Sequence, residues 1–159
     1  MIPASPLLDR SKPIVVLVAE DNKYDRMILG EAFGELGFNV RLHFVVNGED
    51  LLDYLRRRNQ YAAAGVAPRP DLILLDLNMP RMDGNEAMKL LRTDDTLRML
   101  PVVVLSTSDN PGQVAQAYAN GVNAFLTKPG GYDEFVDVVQ KMGNFWFGVA
   151  RLPTAQPDA

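Results

Sequence analysis

The segment Leu72-Ile73-Leu74-Leu75 places the tightest limit on how this chain can fold. It is too short for a buried helix and too continuously apolar for a strand with one wet face. It therefore reads as a strand covered on both sides. It ends on a carboxylate, Asp76, which opens the turn Asp76-Leu77-Asn78-Met79-Pro80. A buried charge without a partner is costly, so the rest of the chain has to supply one. Two other apolar segments do so. Ile14-Val15-Val16-Leu17-Val18-Ala19 runs into Glu20-Asp21, and Asn123-Ala124-Phe125-Leu126-Thr127 runs into Lys128-Pro129. As parallel strands, these segments bring three acids and one amine to a single edge of one sheet.

Strands are expected over residues 14–19, 41–46, 72–76, 102–106 and 123–126. All but the second are apolar enough to be covered on both faces. Amphipathic stretches over 23–36, 48–58, 85–91, 111–120 and 132–142 alternate with them as helices. Met27, Ile28, Phe33 and Leu36 recur at helical spacing in the first helix, and Gly37 marks its end. Asn47 is placed to cap the second helix, and Asp133 lies in the first turn of the last. Five successive βα units imply an α/β fold: a five-stranded parallel sheet in a doubly wound βα sandwich with right-handed crossovers. Such sheets bind ligands beyond the carboxyl ends of their strands, where strand order reverses. Glu20, Asp21, Asp76, Ser106 and Lys128 all fall at those ends.

The 159 residues carry a formal charge of −4, which argues against general nucleic-acid binding. Cysteine is absent, which excludes disulfides and thiolate metal sites. No apolar run approaches the roughly 20 residues of a membrane span, and Pro3 and Pro6 interrupt the start, so a cytoplasmic protein is expected. Residues 1–11 read as a flexible segment, 12–143 as one domain, and 144–159 as an aromatic extension ending in a disordered tail. Residues 62–70 read as a surface loop. The single histidine, His43, reads as a partly buried sheet residue, and Arg56-Arg57-Arg58 as a solvated helix end.

Three carboxylates in one pocket raise each other's pKa values, and a divalent cation relieves the repulsion. An all-oxygen donor set suits Mg2+. Lys128 adds a fixed positive charge beside Asp76. A carboxylate so placed can attack a phosphoryl group and form an acyl phosphate, with metal and lysine offsetting charge on the transferring oxygens. Ser106 is positioned to donate a hydrogen bond to the bound group.

Four stretches together resemble the receiver domain of two-component response regulators, a flavodoxin-like fold. They are Val18-Ala19-Glu20-Asp21-Asn22, Leu75-Asp76-Leu77-Asn78-Met79-Pro80-Arg81-Met82-Asp83-Gly84, Pro101-Val102-Val103-Val104-Leu105-Ser106-Thr107 and Leu126-Thr127-Lys128-Pro129. The resemblance implies that Asp76 is the phosphoacceptor, charged by a histidine kinase. It also implies that Glu20, Asp21, Asp76 and the Asn78 backbone carbonyl hold Mg2+. Ser106 then matches the switch hydroxyl, Phe125 the switch aromatic and Lys128 the phosphate-pairing lysine. A cis Lys128–Pro129 bond is implied as well. Two departures stand out: Glu20 replaces the more frequent aspartate, and Phe125 has no hydroxyl to bond when it turns inward. Asn78 and Ser108 occupy positions where relatives tune acyl-phosphate lifetime.

Fewer than about 20 residues follow Met142, too few for a helix-turn-helix or catalytic output domain. Residues 144–153 are strongly apolar for a tail. On an extended last helix, Phe135, Val139, Met142 and Trp146 form one stripe and Val138, Met142, Phe145 and Val149 a second, more than one core contact needs. The Phe145-Trp146-Phe147 tail resembles a subgroup of regulators paired with bacterial phytochromes, which form homodimers through the last helix and C-terminal extension. That resemblance implies a homodimer with Phe145, Trp146 and Phe147 at its interface, and a phytochrome-type kinase upstream. Two rival functions use a similar architecture. An aspartyl-phosphate hydrolase would place a second acid two residues after the nucleophile, where this chain has Asn78. A flavin-binding module would want backbone donors after the first strand, where Glu20-Asp21 would repel a phosphate.

Overall fold

The computed structural model describes residues 12–153. The segment 1–11 and the last residues of the expected tail, 154–159, lie outside the described residues. Five strands, β1 (Ile14–Ala19), β2 (Val40–Val45), β3 (Leu72–Leu75), β4 (Val102–Ser106) and β5 (Ala124–Thr127), form one parallel sheet of order β2-β1-β3-β4-β5. The connecting helices are α1 (Lys23–Gly34), α2 (Gly48–Leu55), α3 (Gly84–Thr93), α4 (Pro111–Ala119) and α5 (Tyr132–Gly143). Strand order reverses between β1 and β3, so the loops carrying Glu20-Asp21 and Asp76 flank the switch point.

Period-2 alternation sorts the strand residues onto two cores. In β3, Leu72 and Leu74 join Val16, Val18, Ile28, Leu29, Phe33, Phe135 and Val139 under α1 and α5. Ile73 and Leu75 join Leu17, Leu51, Leu52, Met88, Leu91 and Val104 under α2 and α3. All four β3 side chains are buried, each worth about 1.5–3 kcal/mol relative to exposure. Four of the five helices start on an Asn or Asp side chain that accepts from the first-turn backbone: Asn22, Asn47, Asp83 and Asn110.

Several expectations are corrected. β5 is not covered on both faces. It is a half-exposed edge strand, because α4 buries only Ala117. Helix α2 ends at Leu55 rather than reaching Arg58. Arg57 turns left-handed at φ 53°, and the Arg57 and Arg58 N–H groups close back on the carbonyls of Tyr54 and Asp53. The three arginines are also more than a solvated end. Arg56 faces Asp94 at 3.6 Å, Arg57 Nε donates to the Ala67 carbonyl, and Arg58 pairs with Asp53. No cis peptide bond occurs among the described residues, so Lys128–Pro129 is trans, the isomer favoured by about 0.5–1 kcal/mol in X–Pro bonds. His43 is half-buried on β2 with its ring 5.8 Å from Tyr54, and burial and nearby Arg41 hold its pKa below the usual histidine value.

The C-terminal extension changes most. After α5 the chain winds into a π-helical turn, Asn144–Val149, closed by Ala150 N–H donating to the Phe145 carbonyl. The wider turn places the residue five after Met142 on the buried line, so the core stripe is Phe135, Val139, Met142 and Phe147. Phe147, expected at an interface with another chain, is 3% exposed in its own core, 6.0 Å from the Phe33 ring and 5.9 Å from the Phe38 ring. Trp146 is half-buried, while Phe145 and Val149 stay exposed. Gly143 lies against this packing, where a Cβ would meet the end of the Leu36 side chain and stand 3.5 Å from the Phe147 ring. Phe147→Ala is expected to cost about 3 kcal/mol of stability. Phe145→Ala should stay within about 0.5 kcal/mol at protein concentrations low enough to exclude association. Urea unfolding of both variants checks this, and equal losses would contradict the assignment of the two rings.

Candidate functional site: an acidic pocket around one buried lysine

The backbone places the chemistry at the strand ends. Glu20 N–H donates to the Val45 carbonyl and Asp76 N–H to the Ala19 carbonyl, so the sheet ladder continues one residue past β1 and β3 and holds both acids. Glu20, Asp76, Ser106 and Lys128 are the buried polar or charged residues among those described, and Asp21 is exposed. Gly84 lets α3 start directly against the Asp76 turn. A Cβ at that position would meet the Asp76 carbonyl oxygen at 2.8 Å and Leu77 Cα at 2.9 Å.

Lys128 reaches into the pocket from the end of β5, with its backbone N–H tied to the Ser106 carbonyl at 2.7 Å. Its ammonium lies 2.5 Å from Glu20 Oε1, 2.8 Å from Asp25 Oδ2 and 3.4 Å from Asp76 Oδ2. Asp76 Oδ1 accepts from Asn78 N–H at 3.0 Å, and Glu20 Oε2 from Asn22 N–H at 3.2 Å. Oxygens of Glu20, Asp21 and Asp76 converge to within 4.8 Å of one another. Arg26 Nη1 ties down the acidic loop from behind, donating to the Glu20 and Asp21 carbonyls at 2.9 and 3.1 Å.

The electrostatics follow from burial. Burial pushes the Glu20 carboxyl up to about 7; the Asp76 charge adds to the rise, and the Lys128 hydrogen bond opposes it. Burial alone would lower the Lys128 pKa, but the hydrogen bonds it donates to Asp25 and Glu20 and the Asp76 charge outweigh it and hold the ammonium above the usual lysine value. Three carboxylates contact the one ammonium, and Asp21 converges with two of them without touching it. A converging, hard-oxygen, negatively overcharged pocket fits a divalent cation of the Mg2+ or Mn2+ kind.

Ser106 is fully buried at the end of β4, its hydroxyl accepting from Ser108 N–H at 3.3 Å. Phe125 packs half-buried against the α2–α3 core, and its N–H donates to the Tyr118 hydroxyl at 3.2 Å. Phe145 and Trp146 lie on the C-terminal turn with rings edge-on at 5.3 Å. Sequence reasoning missed Asp25. An acid in the first turn of a helix ordinarily complements the helix dipole, and nothing in its spacing announces a lysine 103 positions away.

Residues 16–140 match the family model for the response regulator receiver domain. The chain belongs to that family. It is 33% identical to the response regulator Rcp1 of Synechocystis sp. over 147 residues, 92% of this chain and 98% of Rcp1. The solved Mn2+-bound form of Rcp1 superposes with a TM-score of 0.83 at 34% identity, over 89% of this chain and all of that one. The phosphorylated cyanobacterial phytochrome response regulator RcpA gives a TM-score of 0.84 at 36% identity, covering 90% of this chain and all of that one. RPA3017, a response regulator in red light signaling of R. palustris, is 45% identical with a TM-score of 0.83, over 91% of this chain and all of that one. The likeness extends beyond light signalling: the "Probable methanogenesis regulatory protein FilR2" of Methanothrix harundinacea is 35% identical over 92% of each chain. The protein is thus a receiver-domain response regulator homologous to regulators of phytochrome systems.

The pocket's excess charge has a measurable consequence. Asp76→Asn is expected to raise stability by roughly 1 kcal/mol in metal-free buffer, because it removes one of the repelling acids. Added Mg2+ should shrink that difference. Urea unfolding with and without Mg2+ checks it, and a variant less stable than wild type without metal would contradict the repulsion.

Proposed function

We propose that Asp76 accepts a phosphoryl group from a histidine kinase and that the chain signals by the protein contacts this changes. The observation that carries the reading is the buried Asp76 carboxylate, 3.4 Å from the Lys128 ammonium and within 4.8 Å of oxygens from Glu20 and Asp21. In the transfer, one Asp76 oxygen forms the new O–P bond as the N–P bond of the donor phosphohistidine breaks. The departing imidazole nitrogen takes a proton from solvent. Mg2+, when bound, neutralises charge on the transferring oxygens. Glu20, Asp21, Asp76 and the Asn78 carbonyl are the ligands proposed for it. Lys128 pairs with the phosphoryl oxygens, and the buried Ser106 hydroxyl is the donor proposed to turn toward them, drawing Phe125 inward.

The upstream kinase is proposed to be of the phytochrome type, on the strength of the likeness to RcpA and RPA3017 and of the aromatic tail. Among the described residues no helix is long and apolar enough to cross a membrane, and a cytoplasmic site of action suits a kinase substrate. The exposed Phe145 and Val149, beside a half-buried Trp146, support a homodimer through α5 and the extension. Phe147 belongs to the core beneath that surface.

Incubation with a small acyl-phosphate donor and Mg2+ should add one phosphoryl group by intact mass. Asp76→Asn or a chelator should abolish the addition, and an unchanged wild-type mass would overturn the reading. For the assembly, light scattering should show a dimer at micromolar concentration that Phe145→Ala with Trp146→Ala converts to monomer. A monomeric wild type would refute it.

A further inference from the structure

We infer that Asp25 is a positioning residue that competes with the phosphoryl group for the Lys128 ammonium and so weakens the lysine's hold on phosphorylated Asp76. The inference rests on the phosphoacceptor reading of the pocket and assigns a role to a residue outside its expected site.

The geometry begins with donor counting. An ammonium has three N–H donors, and three carboxylates already surround this one. The approaches are unequal: 2.5 Å to Glu20, 2.8 Å to Asp25 and 3.4 Å to Asp76. Asp25 and Glu20 therefore hold the charge away from the carboxylate that is to be phosphorylated. A phosphoryl oxygen can bond the ammonium only if one present acceptor gives way.

The acceptors differ in what else can hold them. Glu20 and Asp76 belong to the group of oxygens that converges as a cation site, and Asp25 does not. A cation at that site would be held by Glu20, Asp21 and Asp76, and Asp25 would be left to pair with Lys128. Asp25 is also fixed in place. Its backbone N–H is capped by Asn22 Oδ1 at 3.0 Å, and the next residue, Arg26, is bonded to the Glu20 and Asp21 carbonyls. Its backbone therefore stays at the start of α1, and only the rotation of a short side chain is left to follow the lysine toward Asp76. The arriving phosphoryl group thus shares the ammonium with a carboxylate anchored through its backbone to the start of α1.

Beryllofluoride, which binds an aspartate carboxylate as a phosphoryl mimic, reads this competition without turnover. In the presence of Mg2+, Asp25→Asn is expected to bind it roughly fivefold more tightly than wild type. In a Lys128→Met background the same substitution should change affinity less than about twofold, since the effect runs through the lysine. An equal change in both backgrounds, or weaker binding by Asp25→Asn, overturns the role. Thermal melts confirm that each variant is folded. Should Lys128→Met fail to fold, the crystal structure of metal-free Asp25→Asn decides alone. Lys128 Nζ is expected to close on Asp76 Oδ2 from 3.4 Å to about 2.8 Å, and an unmoved Nζ overturns the inference. Wild-type protein that takes up no beryllofluoride instead overturns the phosphoacceptor reading itself, whatever the lysine's position in the metal-free variant.

Discussion

One buried ammonium makes the functional edge of this sheet possible. Glu20 and Asp76 come out of water at the ends of β1 and β3 because the strands that carry them are covered on both faces. Without a counter-charge, burial would push the Glu20 carboxyl still further toward its protonated form, and the Asp76 charge beside it adds to that pressure. Lys128 supplies that charge from β5, two strands away from β3 across β4. The compensation is incomplete, since one ammonium contacts three acids and a fourth, Asp21, converges on two of them. The remaining imbalance is the driving force for cation binding, and it leaves the pocket ready for a group that carries its own charge.

The surrounding structure keeps this arrangement in register. Parallel pairing of β1 with β3 sets the Glu20–Asp76 approach, and the β4–β5 pairing places Lys128 beside Ser106. On one side, the Asn22 cap and Arg26 lock the acidic loop to the start of α1. On the other, Gly48 N–H bonds the Met82 carbonyl at 2.8 Å and joins α2 to the turn that follows Asp76. By contrast α4 buries one residue, and β5 is a half-exposed edge. The pocket thus draws its acids from the well-covered β1 and β3 ends and its lysine from the lightly packed α4–β5 side.

Much of this was legible in residues with strong local signals. Continuous apolar runs such as Leu72–Leu75 specify two-faced burial, and their polar terminators fall where a parallel sheet collects them. Asn47 marked a helix start for the same local reason, whereas α1 stops at Gly34, short of the end expected at Gly37. What escaped depends on geometry that sequence spacing does not encode. Arg57 adopts a left-handed helix end usually given to glycine. The π-helical turn shifts the buried line by one residue, exchanging Trp146 for Phe147 in the core. Asp25 meets Lys128 only because α1 and the end of β5 converge, a contact between residues 103 positions apart. Local periodicity carries no trace of such a meeting.

The residue that carries the label decides between this account and its rivals. Borohydride reduces an aspartyl phosphate to homoserine, so reduction of freshly phosphorylated protein followed by peptide mapping reports the acceptor by its new chemistry. Homoserine at position 76, absent when Mg2+ is withheld, is the predicted result. Reduction product at Glu20, Asp21 or Asp25, or a labelled protein with residue 76 unchanged, would contradict it.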